Sequence, residues 1–208
     1  MSRQCANLSA SMSMDDETRR LLTDRFVLFS CEGTAEGTVI QRLYDADLLV
    51  VPRRHVVKDS VISNRPYTRK RRAADIADAY FSMSYEDDGA EGLTVARIVD
   101  SHAAKFEFPK RRNNGTEVLS FYTHPEIEML IIHSEGAFED WLRASRKDRQ
   151  LRPSDFCMHE LGLERVKEGP FLKEYWSDAD RLVGAVKSYA EKANRGRDEL
   201  MLVDLLRG

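Results

Sequence analysis

The stretch Phe26-Val27-Leu28-Phe29-Ser30-Cys31-Glu32-Gly33-Thr34-Ala35-Glu36 decides the fold: an almost unbroken apolar run stops at two carboxylates that flank a glycine. An apolar run without alternation is the pattern of a strand buried on both faces of a parallel sheet. A strand that ends at Glu32, turns at Gly33 and passes into a helix near Glu36 is the opening unit of an α/β fold, whose sites gather at the C-terminal edge of the strands. Acids delivered to that edge point to metal chemistry.

Working outward, a short helix is expected from Asp15 to Asp24, and Val39, Ile40, Leu43 and Tyr44 recur at helical spacing over 36–44. Leu48-Leu49-Val50-Val51 reads as a second strand, stopped by Pro52. A helix follows over 73–81, a turn at Asp87-Asp88-Gly89, a third strand from Leu93 to Val99 ending at Asp100, and a fourth from Val118 to Tyr122. Thr123 is placed as a helix N-cap, with Pro125 in the first turn and Glu126 three residues on. Beyond Gly136 helical pieces are expected at 137–146, 154–163, 170–176 and 179–193, and apolar Leu200 to Leu206 is expected to dock on the body, leaving room for a homodimer contact. Residues 1–14 read as a flexible arm and 15–208 as a single domain. The class is α/β: a mostly parallel central sheet flanked by helices, with a helical C-terminal portion.

The 208 residues are 42% hydrophobic and 32% charged, a globular composition with enough chain for a sizeable core. A formal charge of −3 gives no global attraction to nucleic acid, so any such affinity comes from local clusters. Cys5, Cys31 and Cys157 form no disulfide or zinc pattern and point to a reducing compartment. With no apolar run of spanning length and no signal-like start, the reading is a cytoplasmic protein without a membrane partner. A phosphate-cradling Gly-rich loop is also missing, which argues against ATP hydrolysis by this chain.

Glu32 and Glu36 follow the first strand, Asp100 the third, and Glu126 and Glu128 the fourth. In a parallel sheet these places share one edge, so widely separated carboxylates converge there. Hard oxygen ligands of this kind suit Mg²⁺ or Mn²⁺, and without a cation the acids repel one another. Taken singly, a Glu at a helix start is more often a cap or a partner of the helix dipole. Cys31 beside Glu32 reads as buried rather than nucleophilic, and Cys157, His133, Trp141, Phe138, Leu142 and Trp176 read as structural.

Cys31-Glu32-Gly33-Thr34-Ala35-Glu36 resembles the first motif of Toprim domains, in the Glu-Gly-x-x-Glu form of OLD-like nucleases and RloB-type proteins of abortive-infection loci. Arg97-Ile98-Val99-Asp100-Ser101-His102 stands in the place of the family's Asp-x-Asp, and Pro125-Glu126-Ile127-Glu128-Met129-Leu130 resembles its later acidic helix start. The resemblance covers residues 26–133 and implies a metal-dependent nuclease in phage defence. Carried over, it makes Glu32 a metal ligand or acid/base, Glu36 an auxiliary acid, Asp100 a metal ligand and Glu128 a further ligand or support; with the acidic edge this gives a catalytic set of Glu32, Glu36, Asp100 and Glu128 and a metal set of Glu32, Asp100, His102 and Glu126. His102 departs from the family's second Asp; imidazole takes Mn²⁺ more readily than Mg²⁺. The alternative is a non-catalytic Toprim-like subunit that binds nucleic acid or a partner ATPase.

Two basic runs complete the reading. Arg53, Arg54, Lys58, Arg69, Lys70, Arg71 and Arg72, with Tyr67 among them, read as a phosphate-tracking loop, and Lys105, Lys110, Arg111 and Arg112 as a second. Both are expected beside the acidic edge.

Overall fold

Val27, Phe29 and Cys31 are fully buried in one apolar cluster and Leu28 in another, so the opening strand is covered on both faces by residues that alternate between them. In the computed structural model, residues 14–59, 64–87, 89–101, 106–108, 115–196 and 198–207 are described. In chain order they form α1 (Asp16–Thr23), β1 (Phe26–Cys31), α2 (Thr34–Asp45), β2 (Tyr67–Thr68), α3 (Ala73–Tyr80), β3 (Glu86–Asp87), β4 (Ala90–Glu91), β5 (Leu93–Val99) and β6 (Glu117–Tyr122). Then come α4 (Met129–Ser134), α5 (Phe138–Lys147), α6 (Pro153–His159), α7 (Gly169–Tyr175), α8 (Ala179–Lys192) and β7 (Leu200–Met201). The expected arm falls outside the described residues except for Met14, which packs on the core.

The strands β2-β1-β5-β6-β7 form one parallel sheet, and β3 pairs with β4 as a separate antiparallel hairpin. One face of the sheet carries α2 and α4 to α8 over the larger cluster. The other carries α3, whose Ile76, Ala77 and Tyr80 meet Leu28, Leu93 and Val95. This is the α/β architecture expected, including the helical C-terminal portion. Among the described residues, no helix is long and apolar enough to cross a membrane.

Two expected elements are corrected. Leu48 to Val51 does not enter the sheet: Leu49 bridges Leu206 antiparallel, Val50 N–H donates to the Leu205 carbonyl at 2.8 Å, and Arg207 N–H to that of Leu48 at 2.7 Å. The place beside β1 belongs to Tyr67 and Thr68, paired with Phe29 and Ser30. Thr123 caps no helix; its hydroxyl donates to the Val99 carbonyl at 3.3 Å. Residues 126–128 instead form a turn, with Met129 N–H bonded to Glu126 and Leu130 N–H to Ile127, and α4 starts only at Met129.

Candidate active site

β1 and β5 run parallel with Cys31 opposite Ile98, so the residues that follow each strand leave the sheet at the same edge. Glu32 and Asp100 meet there, close enough for both the N–H and the carboxyl of Asp100 to act on the Glu32 carboxylate. Burial, then the charge of Asp100, push the Glu32 carboxyl above its ordinary range, while the Asp100 N–H and Arg71 pull it back.

Glu36 lies in the first turn of α2, buried, and among the described residues its Oε2 has no hydrogen-bond partner. Gly33 makes room for it, because a Cβ there would stand 2.8 Å from that oxygen. Burial raises the Glu36 carboxyl, Glu32 and Asp100 raise it further, and the N–H groups of Glu36 and Gly33 oppose them. A cavity of about 210 Å³ opens here, bordered by Thr34, Glu36, Asp100, Glu126, Glu128 and Lys167. Glu128 is buried at the start of α4 and its carboxyl is pushed up to about 7, chiefly by burial, with Glu126 and Glu36 adding and Lys167 opposing. Glu126 is held elsewhere: its Oε2 accepts the Ser154 N–H at 3.0 Å and its Oε1 lies 3.8 Å from Arg152, so it caps α6.

Among the described residues, no three of the His, Cys, Asp and Glu side chains are placed around one ion. The donor set fits a divalent cation through the Glu32 and Asp100 pair, with the orphaned Glu36 Oε2 behind it, since Mg²⁺ is commonly held by one or two carboxylates plus water. His102 lies outside the described residues, as do Lys105, Lys110, Arg111 and Arg112.

The first basic run divides. Arg69, Lys70 and Arg71 leave β2 at the acidic edge, where the Ser30 hydroxyl donates to the Lys70 carbonyl at 2.8 Å and Arg71 faces Glu32. With Arg72, Thr68, Asp59 and Asp75 they border a basin of about 380 Å³. Arg72 pairs with Asp75 at 2.8 Å. Arg53 and Arg54 sit at the opposite end of the sheet, and Lys58, next to Asp59 of the basin, turns its ammonium back over Tyr44. Arg53 donates to the Tyr44 carbonyl at 3.2 Å and stacks over its ring, Arg54 bonds His55, and Val56 bridges Val27.

Burial, and next Glu36, push the Cys31 thiol up, which keeps it protonated and inert. Cys157 is likewise pushed up to about 12, and His133 down to about 4, both by burial. Two residues escape a reading of the sequence. Arg97 is buried in β5 beside Glu32, donates to Ser120 Oγ at 3.2 Å and lies 4.4 Å over the Phe106 ring. An arginine inside a buried strand is itself the signal. Lys167, which brings a cation to the acidic cavity, comes from a loop between α6 and α7 and leaves no trace in any motif. Comparison with family models, curated proteins and solved structures finds no match to the chain.

Proposed function

We propose that this edge is a divalent-metal-dependent phosphodiesterase site acting on DNA or RNA. The observation that carries the reading is the meeting of Glu32 and Asp100 from two parallel strands beside Arg69, Lys70 and Arg71. Glu32 and Asp100 would hold Mg²⁺ or Mn²⁺, which when bound polarises a phosphoryl oxygen and lowers the pKa of water. Arg69, Lys70 and Arg71 hold the phosphate backbone at the same edge. Glu36 Oε2, buried and without a partner among the described residues, is an acceptor for a hydrogen of a water drawn into the cavity. Glu128, with its carboxyl near 7, keeps a proton at its carboxyl oxygen that a leaving alkoxide can take.

The Toprim resemblance of residues 31–36 and 97–102 supports the same reading and extends it to a cytoplasmic role in phage defence; the apolar C-terminal segment is already buried against the body at Met201, Leu202 and Leu205, so a homodimer would need another surface. The absence, among the described residues, of three ligands around one ion favours a second reading, a Toprim-like subunit that binds nucleic acid or an ATPase without cutting. Incubating the purified protein with plasmid, single-stranded DNA and RNA, with Mg²⁺, Mn²⁺ or EDTA, separates the two. Cleavage is expected only with a divalent ion, and Asp100→Ala is expected to reduce it at least about 100-fold, the scale of losing a principal electrostatic group. An Asp100→Ala protein that cuts like the parent would remove this edge as the catalytic centre. A parent that binds but never cuts favours the second reading.

A further inference from the structure

Thr34 borders the acidic cavity on one side and, on the other, a groove of about 490 Å³ between α2, β2 and α7. The groove carries Arg42, Arg65 and Lys173 against one carboxylate, Asp45, which already accepts from Gln41 at 3.0 Å. Arg42 donates to the Ser177 carbonyl, and its buried Nε has no partner among the described residues; Arg65 donates to the Tyr67 hydroxyl at 3.3 Å. Both acceptors are neutral, so among the described residues neither cation is compensated, and Lys173 is exposed. Tyr67 and Trp176 border the groove but are buried, and so form its packed floor rather than an exposed stacking face. At the end nearest the acids α7 comes close to α2: a Cβ on Gly169 would lie 3.3 Å from Thr34 Cγ2.

Cations along a groove that are uncompensated among the described residues are what the backbone of a strand requires, because they follow the phosphates whatever the base sequence. The volume falls within the range of about 300–1,000 Å³ that small ligands fill. It takes a nucleotide or two and excludes a duplex. We propose that this groove holds a single-stranded segment of nucleic acid next to the phosphate presented to Glu32 and Asp100. The proposal rests on the phosphodiesterase reading of that edge.

The test is binding without turnover. Short fluorescein-labelled poly-dT and poly-rU strands and a blunt hairpin duplex are titrated with protein in EDTA, with anisotropy followed over a series of KCl concentrations. Arg65→Ala/Lys173→Ala is expected to weaken single-strand binding about tenfold and to flatten its salt slope by about 1.4, as the removal of two phosphate-neutralising cations requires. Hairpin binding should not change, and Arg65→Lys/Lys173→Arg, which keeps both charges, should bind the single strand like the parent. The dT and rU arms assign the strand to DNA or RNA. Parent-like affinity and slope in the alanine pair, equal loss on strand and hairpin, or a parent that binds neither strand would each overturn the groove. Failure of the phosphodiesterase reading shows separately, as absence of metal-dependent cleavage or as Asp100→Ala cutting like the parent.

Discussion

Glu128 is 7% exposed, and its surroundings do not repay the loss of water that its charge suffers. Its folded carboxyl, pushed up to about 7 from an ordinary 4.5, holds its proton more tightly than the unfolded chain does. Such a group supports the fold below about 4.5 and loses that support as pH rises through about 7. The difference is on the order of 3 kcal/mol. Glu128→Gln cannot ionise, so in EDTA it is expected to match the parent near the acid limit and to exceed it by about 1–3 kcal/mol around pH 8. Urea unfolding over a pH series measures this, and a gap between the two proteins that stays constant across the series would show the carboxyl to be hydrated. Glu126, only two residues away, is instead fixed on the Ser154 N–H and Arg152. The two residues are the same type in the same turn; their partners alone distinguish them.

At the scale of elements, Gly37 shows how α2 and β2 are fitted together. A Cβ at Gly37 would stand 2.5 Å from Tyr67 Cε2 and Cζ, so the helix can approach the edge strand only because that side chain is absent. Gly37→Ala improves helix propensity by about 1 kcal/mol, but overpacking against a buried ring costs about 1–3 kcal/mol. A net loss is expected. In a Tyr67→Leu background the same change should become neutral or stabilising, a coupling that a double-mutant cycle of urea midpoints reads directly. This contact also marks where the sequence stops being legible. β1 and β5 can be read at their observed bounds because apolar runs closed by an acid or a glycine carry their own punctuation. β2 has two residues inside a basic run and no period to detect, whereas Leu48 to Val51 has a strand's composition and pairs with the chain's last residues instead. The Glu32 and Asp100 meeting follows from parallel order alone. Lys167 and the capping of α6 by Glu126 depend on where α6 and α7 pack, which no local pattern encodes.

For the whole molecule, charge is arranged by end rather than by sum. The formal total of −3 would repel a polyanion, yet Arg69, Lys70 and Arg71 are held at the C-terminal edge of the sheet by β2 and the Ser30 to Lys70 bond. Arg53 and Arg54 are tied to Tyr44 and His55 at the other end, and Lys58 turns its ammonium back over Tyr44. The distance from the acidic edge separates two clusters that the sequence presents as one run. Screening over roughly 10 Å at moderate salt means that the near cluster acts more strongly than Arg53 and Arg54 on a phosphate held at Glu32 and Asp100. Replacing Arg69, Lys70 and Arg71 with glutamine is therefore expected to lower the salt slope of single-strand binding by about 2, at about 0.7 for each phosphate no longer neutralised. Replacing Arg53, Arg54 and Lys58 in the same way should change slope and affinity less, although the change in net charge is identical. Arg72 is left in place in the first variant because it already pairs with Asp75. Anisotropy titrations of both triple variants in EDTA give the comparison. Equal effects from the two would mean that net charge, and not the edge, governs attraction; a larger effect from the far triple would move the nucleic-acid face to the other end of the sheet.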